Sequence, residues 1–285
     1  MAVSRRAALK AAGLATGVGL AARAEAFAAR AEPAKGNVKQ SICRWCYGRI
    51  PLKDLAAAAV KLGYKSIELL SQKEFLEIKD SGLSCGMLNG AKSISDCLNR
   101  FDQHDRCEKE LRSAIEFAAG HGLTNVICFS GNRRGMPDDE GMANCAAGLK
   151  RVMKFAEEKQ INVCMELLNS RVDHKDYMCD KTPWGVALCK MVGSPRFKLL
   201  YDIYHMQIME GDVIRTIKDN KEFIAHYHTG GVPGRNEIDE SQELFYPAVM
   251  KAIVDTGYQG FIGQEFIPKR DPIQSLAQAF KICDV

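Results

Sequence analysis

A chain of 285 residues, 46% hydrophobic and 26% charged, has an ordinary globular composition and is long enough to bury a sizeable core. The formal charge of +4 falls to +1 once residues 1–28 are set aside, because four cations and one acid lie there. With only the pair Arg133 and Arg134 left as a basic cluster, a general nucleic-acid binder is excluded.

In chain order, residues 1–28 come first. MAVSRRAALK, a soft apolar run and small residues around Ala24, Ala26 and Ala28 form an export-signal pattern. Ser4, Arg5, Arg6, Leu9 and Lys10 resemble the twin-arginine consensus. The expected location is therefore periplasmic, or cytoplasmic if the signal is not functional, with no stable membrane association after its removal.

From residue 38 to 285 a single domain is predicted, in which short apolar runs alternate with helical patterns. Strands are predicted at 38–44, 64–70, 83–88, 124–130, 161–167, 197–202, 223–228 and 260–266. Helices are predicted between them, several opened by Pro or closed by Gly: PLKDLAAAAVKLG after the first strand, DRCEKELRSAIEFAAGHG, ANCAAGLKRVMKFAEEK, TPWGVALCKMVG, YPAVMKAIVDTG and the closing DPIQSLAQAFKI. SQKEFLEIKD is short and GDVIRTIKDN marginal. Eight strand-helix units predict an α/β fold, a (β/α)8 TIM barrel. An open doubly wound sheet would show a Gly-rich phosphate turn after its first strand, and CRWCYGRIP is not one.

Barrel active sites lie at the C-terminal ends of the strands. The fifth to eighth predicted strands end in Glu166, Asp202, His228 and Glu265. One such acid is often structural, but four in succession on this rim predict a metal site. Three carboxylates and an imidazole, with no thiolate, favour one divalent ion, Mn2+ or Mg2+, tolerate Co2+ and leave Zn2+ admissible. Eleven cysteines are scattered, several in strand patterns such as Cys85, Cys128 and Cys164, and read as small core residues. Cys43 and Cys46 form a C-x-x-C with no second pair to complete a four-thiolate site.

CRWCYGRIP, ELLNSR, YDIYHMQIMEGD, HYHTGGVPGR and GQEFIPKRDP together resemble the hydroxypyruvate isomerase family, within the xylose-isomerase-like group of sugar isomerases and epimerases. The resemblance covers the chain after residue 38 and implies the same four metal ligands, with His205 and Arg235 contacting substrate. Hydroxypyruvate isomerases usually carry Gln where this chain has His228, and ketose epimerases carry His. The implied chemistry is metal-assisted proton transfer through an enediolate on a small hydroxy-carbonyl compound or sugar, with Glu166 and Glu265 as the proton-transfer pair. Hydroxypyruvate and tartronate semialdehyde are the leading substrate pair, and a ketose 3-epimerase or other sugar isomerase is the alternative.

Other rim residues are weaker. Arg44, with Arg133 and Arg235, offers a cation for a substrate carboxylate; Trp45 either walls the pocket or packs under a loop; Glu68 and Asn89 end the second and third strands. His226 shares the face of His228 and reads as its hydrogen-bonded neighbour, and His174 lies on a loop that can act as a lid. An endonuclease IV-like nuclease would need more His and acid ligands than six His supply. A non-catalytic carbohydrate-binding barrel would be indicated by a missing ligand. The sequence leaves a homo-oligomer open.

Overall fold

The computed structural model describes residues 35–285, together with Gly19. The export-signal reading of residues 1–28, and the location it implies, lie outside the described residues. Among these, no helix is long and apolar enough to cross a membrane.

Among the described residues seven strands form one sheet: β1 Lys39–Cys43, β2 Ser66–Glu68, β3 Asn125–Cys128, β4 Asn162–Glu166, β5 Phe197–Asp202, β6 Ile224–Thr229 and β7 Phe261–Gln264. All pairings are parallel, in the order β2-β1-β7-β6-β5-β4-β3. The strand predicted over 83–88 is a correction: only the isolated bridges Ser66–Ser84, Leu70–Leu88 and Leu88–Val126 remain of it. They span the gap between β2 and β3, so the eight segments still make a (β/α)8 barrel. The ladder breaks at Gly86, whose N–H donates to Ser66 Oγ (2.7 Å) and whose carbonyl accepts from Asn125 Nδ2 (2.9 Å). Side chains there replace strand partners. A Cβ at Gly86 would lie 2.8 Å from Glu68 Oε2 and 2.9 Å from Phe261 Cβ, so the side chains filling the barrel leave no room for one here. Leu69, in the left-handed region (φ 55°), ends β2 two residues earlier than the apolar run implies.

Helices α1 Leu52–Leu62, α2 Gln72–Ile78, α3 His104–Gly120, α4 Asp138–Lys159 and α5 Thr182–Val192 follow in turn. Gly63 (φ 96°) closes α1, and a Ser71–Glu74 capping box opens α2. Then come α6 Ile203–Met209, α7 Val213–Asn220, α8 Tyr246–Asp255 and α9 Pro272–Cys283. The sequence reading misses α6, because its short span buries Ile203, Tyr204, His205, Met206 and Met209 and leaves no polar face to set a helical period. Its N-cap is Asp202, whose Oδ1 accepts from the His205 N–H (3.1 Å).

Strand alternation puts Ser41, Cys43, Ser66, Glu68, His226 and His228 inside the barrel, bonded to one another. Ile42, Ile67, Val126, Leu199, Tyr227 and Ile262 join the apolar layer under the helices. The polar interior leads upward to the rim.

Candidate active site

Glu166 and Asp202 are the last residues of β4 and β5, His228 lies one residue before the end of β6, and Glu265 directly follows β7. The register pairs Asp202 with His228 and His228 with Gly263, so the four side chains leave neighbouring strands at similar height. All four are buried, and one ligand atom from each lies within 4.8 Å of the others. His228 Nδ1 sits 3.0 Å from Glu265 Oε2 and 3.3 Å from Glu166 Oε1.

The set fits a divalent cation. Glu166 Oε1 and Asp202 Oδ2 are buried without a hydrogen-bond partner, a costly arrangement for acids unless a cation takes up their lone pairs. Burial, and then the charge of Glu265, raise the carboxyls of Glu166 and Asp202 above the usual range. Burial acts the same way on Glu265, but the His228 imidazole and Arg235 guanidinium outweigh it and hold that carboxyl low.

Arg235 reaches Glu265 Oε2 at 2.6 Å and stands 3.7 Å from Asp202 Oδ2. Its guanidinium lies over the rings of Trp45 (5.0 Å) and Tyr204 (5.3 Å). The backbone at Arg235 is left-handed (φ 58°), pinned by its N–H on Gly231 O (2.8 Å) and its carbonyl under Ile267 N (2.7 Å). Trp45 Nε1 donates to Glu265 Oε1 (2.7 Å), so this half-exposed ring is tied to the site.

His205 is fully buried beside Asp202, with Nε2 unpartnered and 3.7 Å from Asp202 Oδ2. Its tautomer follows from Asn169. The Val172 and Asp173 N–H groups donate to Asn169 Oδ1 (2.9 and 3.0 Å), which turns Asn169 Nδ2 toward His205 Nδ1 (2.7 Å). Nδ1 is thus the acceptor and Nε2 carries the hydrogen. Burial, reinforced by Arg235, lowers the His205 pKa well below the ordinary value, so the ring is neutral. In the sequence Asn169 is marked only by its place in ELLNSR, three residues after Glu166.

A cleft of roughly 580 Å3 opens above these groups, lined by Glu166, Glu265, Arg235, Trp45, His174 and Asn89, with Leu69, Ile94, Phe129 and Leu168 on its walls. Three expected substrate residues do not line the cleft: Arg44, Glu68 and the fully buried His205. Arg44 does not line the cleft: it donates to Tyr47 O (2.7 Å) and lies 3.9 Å from Glu74, held by the turn that follows β1. Glu68 does not line it either, being fully buried beneath it, where its Oε1 lies 2.7 Å from the Nε2 atoms of both His226 and His228. Burial would raise the Glu68 carboxyl, but the two imidazoles hold it well below the usual range. Glu68 therefore orients His228 from behind, leaving Nδ1 to face the other three residues. Cys43 and Cys46 are free thiols, Cys43 packing 3.6 Å from Glu68 Oε1 and 3.7 Å from His228 Nε2.

Room for Glu68 comes from Gly86 and Gly263. A methyl at Gly263 would collide with the Glu68 carboxylate and lie 2.8 Å from His228 Cδ2. Gly263→Ala should cost about 1–3 kcal/mol by overpacking, lowering the melting temperature by several degrees. It should also weaken metal binding by displacing His228. Unchanged melting and unchanged metal affinity would show that the slot is not needed.

The family model described as xylose isomerase-like TIM barrel matches residues 56–283. A putative hydroxypyruvate isomerase of Mus musculus is 32% identical over 248 residues, covering 85% of this chain and 84% of that protein. A 2-oxo-tetronate isomerase of Cupriavidus necator is 34% identical over 160 residues, 55% of this chain, and the match spans 60% of that relative's own length. Among solved structures, a family 2 AP endonuclease from Brucella melitensis aligns with a TM-score of 0.76 at 21% identity, over 85% of this chain and 98% of its own. At that identity the likeness shows the fold.

Proposed function

The chain belongs to the xylose isomerase-like TIM barrel family, and from that premise we propose that it is a divalent-metal-dependent isomerase of a small α-hydroxy carbonyl compound, with hydroxypyruvate and tartronate semialdehyde as the leading pair. The observation that carries the reading is the double position of Glu166 and Glu265. Both belong to the converging set around His228 Nδ1, and both also line the open cleft.

Glu166, Asp202, His228 and Glu265 would hold the ion, Mn2+ or Mg2+ by the hardness of the donors. When bound, it supplies positive charge where oxyanion character develops on the substrate. The chain's own groups move the proton. One of the two glutamates removes a proton from C3 of hydroxypyruvate, giving an enediolate, and a proton is returned to C2 while the hydroxyl proton passes from O3 to O2. The neutral His205, buried beside Asp202, would meet a substrate oxygen through its unpartnered Nε2–H only where the substrate is seated at the four-residue set, and Arg235 offers a cation to the carboxylate. Trp45, bonded to Glu265, and His174, packed against the His205 ring, line the cleft.

Return of the proton to the same carbon from the opposite face would give epimerisation of a ketose. The cleft volume favours keeping this second reading, because roughly 580 Å3 is in the range of drug-sized ligands and well beyond a three-carbon acid. Chelated protein reloaded with Mn2+ and offered hydroxypyruvate and a panel of ketoses decides between them. Metal-dependent turnover of hydroxypyruvate supports the first reading, 3-epimerisation the second, and turnover unaffected by chelation contradicts both.

His205→Ala should keep the metal and lower kcat by about 10²-fold, the scale of one lost oxyanion donor. Metal loss in this variant would instead make His205 a ligand.

A further inference from the structure

Beside the active-site cleft lies a second one of roughly 560 Å3, between α2 and α3. The two adjoin, since Ser71, Asn89 and Lys92 line both. Gln72 Nε2, donating to Ser113 O (3.2 Å) and Oγ (3.1 Å), ties α2 to α3 along its wall.

The second cleft is one-sided in charge. Lys73, Lys92, Arg106 and Lys109 line it with one acid, Glu110. That acid is already engaged, because its Oε2 accepts from Arg106 Nη1 (2.9 Å) and from the Lys92 N–H (3.0 Å). Three ammonium groups, on Lys73, Lys92 and Lys109, are left with no carboxylate within ion-pair distance among the described residues. A concave surface lined by like charges concentrates field and draws anions.

Resting on the isomerase reading of the first cleft and extending it from hydroxypyruvate to longer hydroxy-carbonyl substrates, we propose that the second is a subsite for an anionic group, phosphate or carboxylate, at the far end of such a longer substrate. The hydroxy-carbonyl head lies between Glu166 and Glu265, the carbon chain runs along the apolar wall past Ile94, and the neck at Ser71, Asn89 and Lys92 passes the anion to the lysines. The volume of the first cleft, too large for a three-carbon acid, and the excess positive charge of the second then have one explanation.

The test has two arms. In the first, inorganic phosphate and malonate are titrated calorimetrically into the metal-loaded wild type, Lys73→Gln/Lys109→Gln and Lys73→Arg/Lys109→Arg. Each charge-assisted bond lost is worth about tenfold or more in affinity, so anion affinity should fall at least tenfold in the Gln variant and persist in the Arg variant. Tighter phosphate than malonate assigns a phosphate tail, and the reverse a carboxylate. Equal affinity in the wild type and the Gln variant, or no binding by the wild type, overturns the subsite. In the second arm, kcat/KM is compared for ribulose 5-phosphate and ribulose, and the ratio should drop about tenfold in the Gln variant. An unchanged ratio overturns the subsite while leaving the isomerase reading intact. If neither sugar nor hydroxypyruvate turns over but phosphate binding still depends on the lysines, the isomerase reading fails and the anion site stands.

Discussion

Glu166→Gln is expected to reduce proton exchange at the substrate carbon by about 10²–10⁴-fold, the contribution of a positioned acid-base group, while the protein folds as the wild type does. Glutamine keeps the size of the side chain and removes its ability to take a proton. Glu166 also belongs to the set that would hold the ion, so exchange is compared with Mn2+ in excess; apart from that its carboxylate contacts His228 Nδ1 at 3.3 Å, and Tyr177 OH donates to its main-chain oxygen, which the substitution leaves alone. Glu265→Gln should be at least as severe and less clean. The Glu265 carboxylate accepts from Trp45 Nε1 at 2.7 Å and from Arg235 at 2.6 Å, and an amide NH2 cannot accept from either, so one donor loses its partner. KM should rise with the fall in kcat, because Arg235 and Trp45 line the cleft. Persistent exchange in both variants, followed by solvent deuterium wash-in, would remove the two-carboxylate mechanism.

Asp202→Ala is the second large effect. It should cut metal affinity by well over the 10–100-fold typical of losing a group that merely supports a ligand, since no thiolate or further acid stands in its place within the set. Two opposing terms act on the metal-free protein. Loss of the cap on α6 costs about 1 kcal/mol, whereas removal of a buried acid with an unpartnered Oδ2 is favourable. Metal-free melting should therefore move little, and the stabilisation gained on adding metal should disappear. Asp202→Asn separates the roles, because an amide oxygen still caps His205 N–H but the charge is gone. Wild-type metal stoichiometry in Asp202→Ala would show the ligand set to be wrong.

The barrel was legible because apolar runs bounded by Pro and Gly mark strand-helix units whatever the tertiary contacts. The rim set was legible because strand ends have a fixed place in that architecture. What escaped depends on contacts across the barrel. Gly86 interrupts the third predicted strand, its N–H taken by Ser66 Oγ and its open side filled by Glu68 and Phe261, and no local pattern announces those contacts. Glu68 looks like a rim acid in IELL, yet the space left by Gly86 and Gly263 lets it turn inward under His226 and His228. Arg44 and Trp45 are neighbours in CRWCYG, but the turn after β1 sends one to Tyr47 and the other to Glu265. The short helix α6 was hidden by its own burial, and with it the capping role of Asp202.

The most direct test of metal-assisted proton transfer is the deuterium content of product and recovered substrate after the wild-type protein, loaded with Mn2+, turns over hydroxypyruvate in D2O. Carbon-bound deuterium is expected at C2 of the aldehyde product and C3 of recovered hydroxypyruvate, abolished by chelation and restored by metal. Turnover that chelation leaves unchanged, with no solvent deuterium in either compound even after prolonged incubation, would contradict it, because neither a metal nor an exchangeable carboxylate proton would then take part.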